Sequence, residues 1–415
     1  MAQAEAQRAI DAVWRIESAK LVAGLTRIVR DVGVAEELAQ DALVAALEQW
    51  PESGVPDKPG AWLMATAKHR AIDLLRRREI LDRKREELGR ELETREERDL
   101  DAELDDDIGD DLLRLLFMTC HPVLATEARV ALTLRLFGGL TTDEIARAFL
   151  VPEATVAQRI VRAKRTLAEA RVPFEVPGKA ERAERLSSVL EVIYLVFNEG
   201  YAATAGDHWT RPALCEDALR LGRILAGLTP EEPEVHGLVA LMELQASRLR
   251  ARSGEDDEPV LLLDQDRALW DQLLIRRGLA ALGRAERLGG SLGPYALQAA
   301  IAACHARAPT ADETDWPRIA ALYDALAQVA PSPVVELNRA VAVAMAFGPE
   351  AGLELVDALR ADPALARYHL LPAARGDLLE KLDRREEARI EFERAAALTR
   401  NERERKLLLE RAASA

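Results

Sequence analysis

The stretch Thr141-Thr142-Asp143-Glu144-Ile145-Ala146-Arg147-Ala148-Phe149-Leu150-Val151-Pro152-Glu153-Ala154-Thr155-Val156-Ala157-Gln158-Arg159-Ile160-Val161-Arg162-Ala163-Lys164-Arg165 decides how this chain is read. Thr141 with Glu144 three residues on is a capping box, so a short helix starts there, after Gly138-Gly139 has ended its predecessor. Leu150-Val151-Pro152 interrupts that helix, and Pro152 suits the first turn of the next. In the second helix Val156, Ile160, Ala163 and Leu167 recur at helical spacing and face a core, which turns Thr155, Gln158, Arg159, Arg162 and Arg165 outward. An apolar back with an Arg, Gln and Thr front is what a helix entering the DNA major groove requires. It offers guanidinium and amide forks for base edges and cations for phosphates. The same pattern also describes an ordinary amphipathic hairpin with a solvated basic face, so the surrounding chain must decide.

Its 415 residues suffice for two to four domains, and a hydrophobic share of 49% is ample for sizeable cores. Aromatic residues make up only 4% while Ala, Leu, Arg and Glu dominate, a composition that points to an almost entirely helical protein. The net charge of −15 argues against a uniformly basic coat. It does not exclude nucleic acid, because exposed charges are screened beyond about 8 Å at physiological salt. Distribution matters more: Arg and Lys crowd at 76–85 and 159–171, Asp and Glu at 91–111 and 255–258. Cys120, Cys215 and Cys304 are scattered, so neither a disulfide framework nor a zinc knuckle is indicated. Cys120-His121 has no second pair at ligand spacing, and no metal or other cofactor is expected. No apolar run approaches the roughly 20 residues needed to span a bilayer. The segment Met1-Ala2-Gln3-Ala4-Glu5 lacks a signal peptide's form, so a cytoplasmic location without membrane contact is expected.

Upstream, residues 8–50 read as two helices, one carrying Ile10, Val13, Ile16, Leu21, Leu25, Ile28 and Val29 at helical period, the other Leu38, Ala42, Leu43, Ala46 and Leu47. Arg30-Asp31-Val32-Gly33 joins them. The second opens with Glu36, Glu37, Gln40 and Asp41, acidic and polar residues that suit the positive end of the helix dipole. Three prolines and two glycines make 51–60 a loop. A third helix over 61–78 then packs Leu63, Ala67, Ile72, Leu74 and Leu75 inward and exposes Lys68, His69, Arg70, Arg76, Arg77 and Arg78. A loop beside a basic helix that opens on Trp62 suits a single-strand site that combines stacking with backbone attraction, although Trp62 taken alone reads more readily as core.

The segments Glu37-Leu38-Ala39-Gln40-Asp41-Ala42-Leu43 and Pro59-Gly60-Ala61-Trp62-Leu63, the run Ala71-Ile72-Asp73-Leu74-Leu75-Arg76-Arg77-Arg78, an acidic spacer and the helical hairpin together resemble an extracytoplasmic-function sigma factor of the sigma-70 family. The likeness spans about residues 8–170, with both modules in order. It implies that Glu37, Leu38, Gln40 and Asp41 dock on the clamp helices of core RNA polymerase. The 51–60 loop with Trp62, Lys68, His69, Arg70, Arg76, Arg77 and Arg78 then captures the −10 element. Helix 153–167 reads the −35 element through Thr155, Gln158, Arg159 and Arg162, with Lys164 and Arg165 on phosphates. The acidic spacer cannot bury enough apolar surface to fold alone. The family threads it through polymerase, where its charge mimics RNA, though a merely solvated linker fits the acidity as well. Thr119-Cys120-His121-Pro122 stands where relatives carry a Leu-Pro sequence.

Pro173, Pro177 and Gly178 mark a boundary, beyond which helices are expected over 180–197, 215–225, 233–253, 264–282, 295–306, 316–327 and 333–346. Leu337-Asn338-Arg339-Ala340-Val341-Ala342 is echoed about 34 residues later by Leu371-Pro372-Ala373-Ala374-Arg375-Gly376, and Ala351 to Ala358 by Ala388 to Ala395, which suggests tetratricopeptide-like helix pairs for a protein partner. Generic packing in an Ala-rich chain is the alternative. Tyr194-Leu195-Val196-Phe197-Asn198-Glu199-Gly200-Tyr201, Asp264-Gln265-Asp266-Arg267 with Trp270, and 293–306 resemble the sigma-factor subgroup with a large fused extension, and imply a regulatory role for it. Glu199, Asp264, Asp266 and His305 would be the acid/base residues of an enzyme, but no nucleophile elbow, phosphate loop or metal spacing accompanies them.

The whole reads as an all-α transcription initiation factor, not an enzyme. Its expected parts are 1–80 (region 2), 81–110 (acidic linker), 111–172 (region 4 helix-turn-helix), 180–330 (helical extension) and 331–415 (tetratricopeptide-like repeats). Core RNA polymerase and promoter DNA are its expected partners. The competing reading is a helix-turn-helix repressor or activator with a sensing helical domain, for which residues 1–80 would have no use.

Overall fold

Arg30 and Asp31 make the first corner. Arg30 takes a left-handed φ of 57°, and the Asp31 carboxylate accepts from the N–H groups of Gly33 (2.8 Å) and Val34 (3.0 Å). Helix α1 (Ala2–Val29) therefore stops and α2 (Val32–Ser53) starts within two residues. The structure, a computed structural model, describes residues 2–87, 108–149, 151–203, 205–206, 209–254, 258–289 and 292–415. Most of the expected acidic linker lies outside the described residues. Contacts divide the chain into two units, Met1–Val192 and Ile193–Ala415, with the division inside one helix.

In the first unit Ala35, Ala39, Ala42 and Ala46 are fully buried along α2, a small-residue stripe against which α1 and α3 (Pro59–Glu87) both pack. Leu21, Leu25, Leu63, Ala67 and Ala71 fill the space between them. Two expectations need correction. The 51–60 loop is shorter, because Pro51 is accommodated in the last turn of α2, where it removes a single hydrogen bond, and Pro59 opens α3, where no N–H is needed. Gly54, at φ 83°, ends α2 by donating to the Trp50 carbonyl (2.9 Å). Ile16 is 64% exposed and not part of the α1 core.

Helix α4 (Ile108–Thr119) is followed by α5 (Thr126–Thr133), which runs into a π turn over Leu134–Gly138 that Gly139 ends at φ 68°. The capping box then forms as the sequence requires. The Thr141 N–H donates to the Glu144 carboxylate (2.7 Å) and the Glu144 N–H to the Thr141 hydroxyl (3.1 Å), at the start of α6 (Thr142–Phe149). Pro152 immediately precedes α7 (Glu153–Glu169) and is not its first residue. Helix α8 (Lys179–Tyr201) closes this unit with its first half: Ser188 donates to the Cys120 carbonyl (2.6 Å) and Arg185 to that of Phe117 (2.9 Å).

The second unit is a succession of helices, six of which carry proline in the first turn. They are α9 (Pro212–Leu228), α10 (Pro233–Ala246), α11 (Gln272–Leu288), α12 (Pro294–Arg307), α13 (Trp316–Val329), α14 (Pro333–Phe347), α15 (Pro349–Leu359), α16 (Leu370–Lys381), α17 (Arg385–Leu398) and α18 (Glu402–Ser414). Helix α10 is buried from Val235 to Leu244 and packs on α9, α11 and α12. Gly237 allows the close approach: a Cβ there would lie 2.7 Å from the Ala296 backbone nitrogen. The consecutive pairs α14–α15 and α16–α17 share one core, in which Leu337, Leu353, Leu371 and Phe392 are buried. Strands β1 (Ala205–Gly206) and β2 (Arg400–Asn401) pair in parallel, and the Asn401 amide donates to the Ala203 carbonyl (3.1 Å).

The helix expected over 233–253 stops at Ala246, and the one expected over 264–282 starts only at Gln272. Local capping explains the second difference. Asp266 accepts from Ala268 N–H (2.9 Å), and Asp271 from Leu273 (2.8 Å) and Leu274 (3.1 Å), so Asp264–Asp271 folds into short 3-10 turns and a helix cap. No helix among the described residues is long and apolar enough to cross a membrane.

Candidate nucleic-acid interface

Helix α7 has the two faces its sequence demands. Val156, Ile160, Ala163 and Leu167 are buried, Gln158, Arg162 and Arg165 are exposed, and Thr155 and Arg159 are half-buried at the edge of the same front. Among the described residues Arg165 meets Glu169 alone (3.5 Å), at 70% and 69% side-chain exposure, a pair too solvated to hold it. The front thus presents one amide and three guanidinium groups on a helix fixed by its core.

The basic side of α3 is likewise open. His69, Arg70, Arg76 and Arg77 are exposed and Lys68 is half-buried, whereas the side chain of Arg78 lies outside the described residues. Trp62 is half-buried and meets the fully buried Trp50 edge-on, ring centroids 5.4 Å apart at 68°. Trp62 is thus packed against the core through Trp50 and keeps part of its surface accessible.

On α2, Glu37 and Asp41 are exposed, with Asp41 in a loose surface pair with Arg70 (3.5 Å). Gln40 donates to the Glu36 carboxylate (2.8 Å). Leu38 differs from expectation: at 7% exposure it belongs to the helical core and not to a docking surface. It supports the acidic face from beneath.

Glu36 is the residue whose weight the sequence understated. It is 4% exposed; one oxygen accepts from Arg135 Nε (2.8 Å) as well as from Gln40, and the other pairs with the Lys164 ammonium. Arg135, from the π turn, also donates to the Leu140 carbonyl (3.1 Å). One buried carboxylate therefore joins α2, the turn before the capping box and α7. Lys164, expected on phosphate, is engaged here and only 22% exposed. A sequence signal existed: Glu36 lies between Ala35 and Ala39 on the inward side of α2, where a carboxylate requires a cation.

Cys120 is buried against Thr133 (3.5 Å), and burial pushes its thiol up to about 11. Burial first, then the Arg185 charge, lowers the pKa of His121. Among the described residues no group of three or more His, Cys, Asp or Glu side chains is placed to hold a metal. The four residues weighed as acid/base groups have other occupations where contacts define them. Glu199 pairs with Arg211, Asp266 caps a turn, and His305 packs edge-on against Trp316 at 5.2 Å.

Residues 17–80 match the family Sigma-70 region 2, residues 114–167 match Sigma-70, region 4, and residues 185–286 match a family of unknown function, DUF6596. An uncharacterized protein of Rhizobium meliloti (strain 1021) is 47% identical over 378 residues, which cover 91% of this chain and 89% of that protein. No solved structure matches the chain.

Proposed function

We propose, because this chain belongs to the sigma-70 family of RNA polymerase sigma factors, that it is an extracytoplasmic-function member whose fused helical extension regulates it. Sigma-70 regions 2 and 4 make it a factor that directs promoter-specific transcription, with core RNA polymerase and promoter DNA as partners. The two regions fall at 17–80 and 114–167, which leaves only residues 81–113 between them and supports the extracytoplasmic-function assignment. The protein works in the cytoplasm.

In this reading Glu37, Gln40 and Asp41 contact polymerase from α2. Trp62 and the α3 cations capture unstacked −10 bases, whose unpairing costs a few kcal/mol each. Thr155, Gln158, Arg159 and Arg162 read −35 base edges, with Arg165, and Lys164 once released from Glu36, on phosphates. The observation that carries this is α7: a buried apolar back and an exposed Arg/Gln front, inside the segment matched to region 4. Beyond residue 192 the helix pairs α14–α15 and α16–α17 support tetratricopeptide-like packing and a protein partner for that surface.

Co-migration with purified core polymerase tests the docking face. Full-length chain is expected to bind, and D41R with E37R to abolish binding while leaving the fold intact; retained binding would refute that face. A chain ending at Val192 reports what the extension does. This end point is needed because Arg185 and Ser188 pack on α4 and the segment after it, so an end near residue 175 would strip the first unit of its support.

A further inference from the structure

Where α10 gives way to a 3-10 turn at Leu249–Ala251, two arginines enter an aromatic cluster of the second unit. The Arg248 guanidinium stands 5.8 Å from the Tyr201 ring centroid and 5.7 Å from that of Trp270. Arg252 lies 3.9 Å over Tyr201 and 5.2 Å from Trp209. Arg248 is 9% exposed and Arg252 is half-buried, and among the described residues neither forms an ion pair with a carboxylate.

That sets them apart from other enclosed arginines of the same unit. Arg211 is paired with Glu199, Arg375 with Asp357 (2.7 Å) and Glu391 (3.0 Å), and Arg411 with Asp377 (2.8 Å) and Glu380. Arg267, the third cation of the cluster, donates to the carbonyls of His305 (2.5 Å) and Ala308 (2.6 Å) and to the Thr314 hydroxyl (3.2 Å). Among the described residues the ring faces compensate Arg248, and Arg252 has the Tyr201 and Trp209 rings together with a hydrogen bond to Tyr201. Each such contact contributes about 0.5–2 kcal/mol, whereas taking a charge out of water costs several kcal/mol.

The groups around them are also incompletely satisfied. Trp270 is 3% exposed, and among the described residues its indole N–H has no acceptor; Arg252 Nε is likewise buried without a partner. The three arginines make the site electropositive: burial, then Arg248 and Arg267, pull the pKa of His305 down to about 3, so its ring is neutral and adds no charge. Two guanidinium groups that meet no carboxylate among the described residues, near an indole N–H without an acceptor there, make a donor-rich, anion-poor cluster.

We propose that Arg248, Arg252 and Trp270 form an anion site in the extension, which takes the phosphoryl or carboxylate oxyanion of a small molecule. The two guanidinium groups neutralise its charge and the indole N–H fixes its orientation. Arg267 is held in place by its bonds to His305, Ala308 and Thr314. The site stands independently of the transcription role, since its occupancy is measured without polymerase or DNA.

The test is calorimetry and thermal unfolding of the full chain with inorganic phosphate, glycerol 3-phosphate or citrate, at ionic strength matched with chloride. Phosphate and its monoester raising the midpoint would mark a phosphoryl site, citrate alone a carboxylate site. One equivalent is expected to bind, with at least a tenfold loss of affinity in R248M and in R252M. Without added anion, both variants are expected to unfold at or above the parent's midpoint, because an unmatched charge has been removed, while R267M unfolds lower. Three results would overturn the proposal: no oxyanion stabilises the chain beyond chloride, binding survives in R252M, or R248M and R252M lose as much stability as R267M, which would make the arginines a structural clasp.

Discussion

Replacing Glu36 by Gln removes one charge from the most connected carboxylate of the first unit and leaves its volume in place. The carboxylate is 4% exposed and faces Arg135, Gln40 and Lys164. Breaking a fully buried pair from one side costs about 3–5 kcal/mol. Arg135 and Lys164 keep 24% and 22% of their side-chain surface in water, and Arg135 retains the Leu140 carbonyl. The cost should therefore fall to about 2–3 kcal/mol. For a unit of this size that corresponds to a midpoint lower by roughly 4–12 °C. Thermal unfolding of the full chain, followed in its first transition, measures it, and a cycle with K164M isolates the ion pair. Coupling between the two substitutions should lie at about 1–3 kcal/mol. The same substitution frees Lys164, so the slope of log affinity for DNA against log salt should steepen by about 1. A stability change under about 0.5 kcal/mol, or additive single effects, would refute the reasoning.

R159A and R162A should each cost about 1–3 kcal/mol of discrimination at a −35 base pair, whereas R165A should weaken all sequences alike, as competition binding to a promoter library would show. G237A forces a Cβ to within 2.7 Å of the Ala296 nitrogen. It should destabilise the second unit by about 1–3 kcal/mol, measured by denaturant unfolding. His305 has a folded pKa near 3, below the ordinary 6.5, so the unfolded chain takes up the proton first. The stability this brings is complete above pH 6.5 and is lost as pH falls toward 3. About 2 kcal/mol should disappear between pH 7 and pH 5, and H305Q should flatten that slope. Burial raises the Cys120 thiol to about 11 and Cys215 to about 12, and raises Cys304 as well. All three should resist a thiol reagent at pH 8 in the folded chain and react on unfolding.

Local signals carried far. The Thr141–Glu144 box, Gly139 and the spacing of Val156, Ile160, Ala163 and Leu167 were legible because each is decided within one or two helical turns. In the second unit the helices expected from 215 and 295 begin a little earlier, at Pro212 and Pro294, because a first-turn proline suits a position where no N–H is needed. Misreadings came where composition stood in for position: Pro51 signalled a loop but falls in a last turn that tolerates it, and Asp264–Asp271 looked helical until side-chain caps competed with the ladder. Leu38 was placed on a docking surface by resemblance, although its spacing from Ala35 and Ala42 puts it inside. Long-range electrostatics was legible only as a need: the inward position of Glu36 called for a cation without saying which. That Glu36 meets Arg135 and Lys164, or that Arg248 and Arg252 meet aromatic rings, depends on segments far apart in sequence.

Run-off transcription with purified core polymerase on the chain's own upstream region tests the sigma-factor role most directly. The expected result is a single defined transcript that appears only when this protein is added, fades in R159A with R162A, and falls steeply with salt. No transcript, together with no detectable binding to core polymerase, would contradict it.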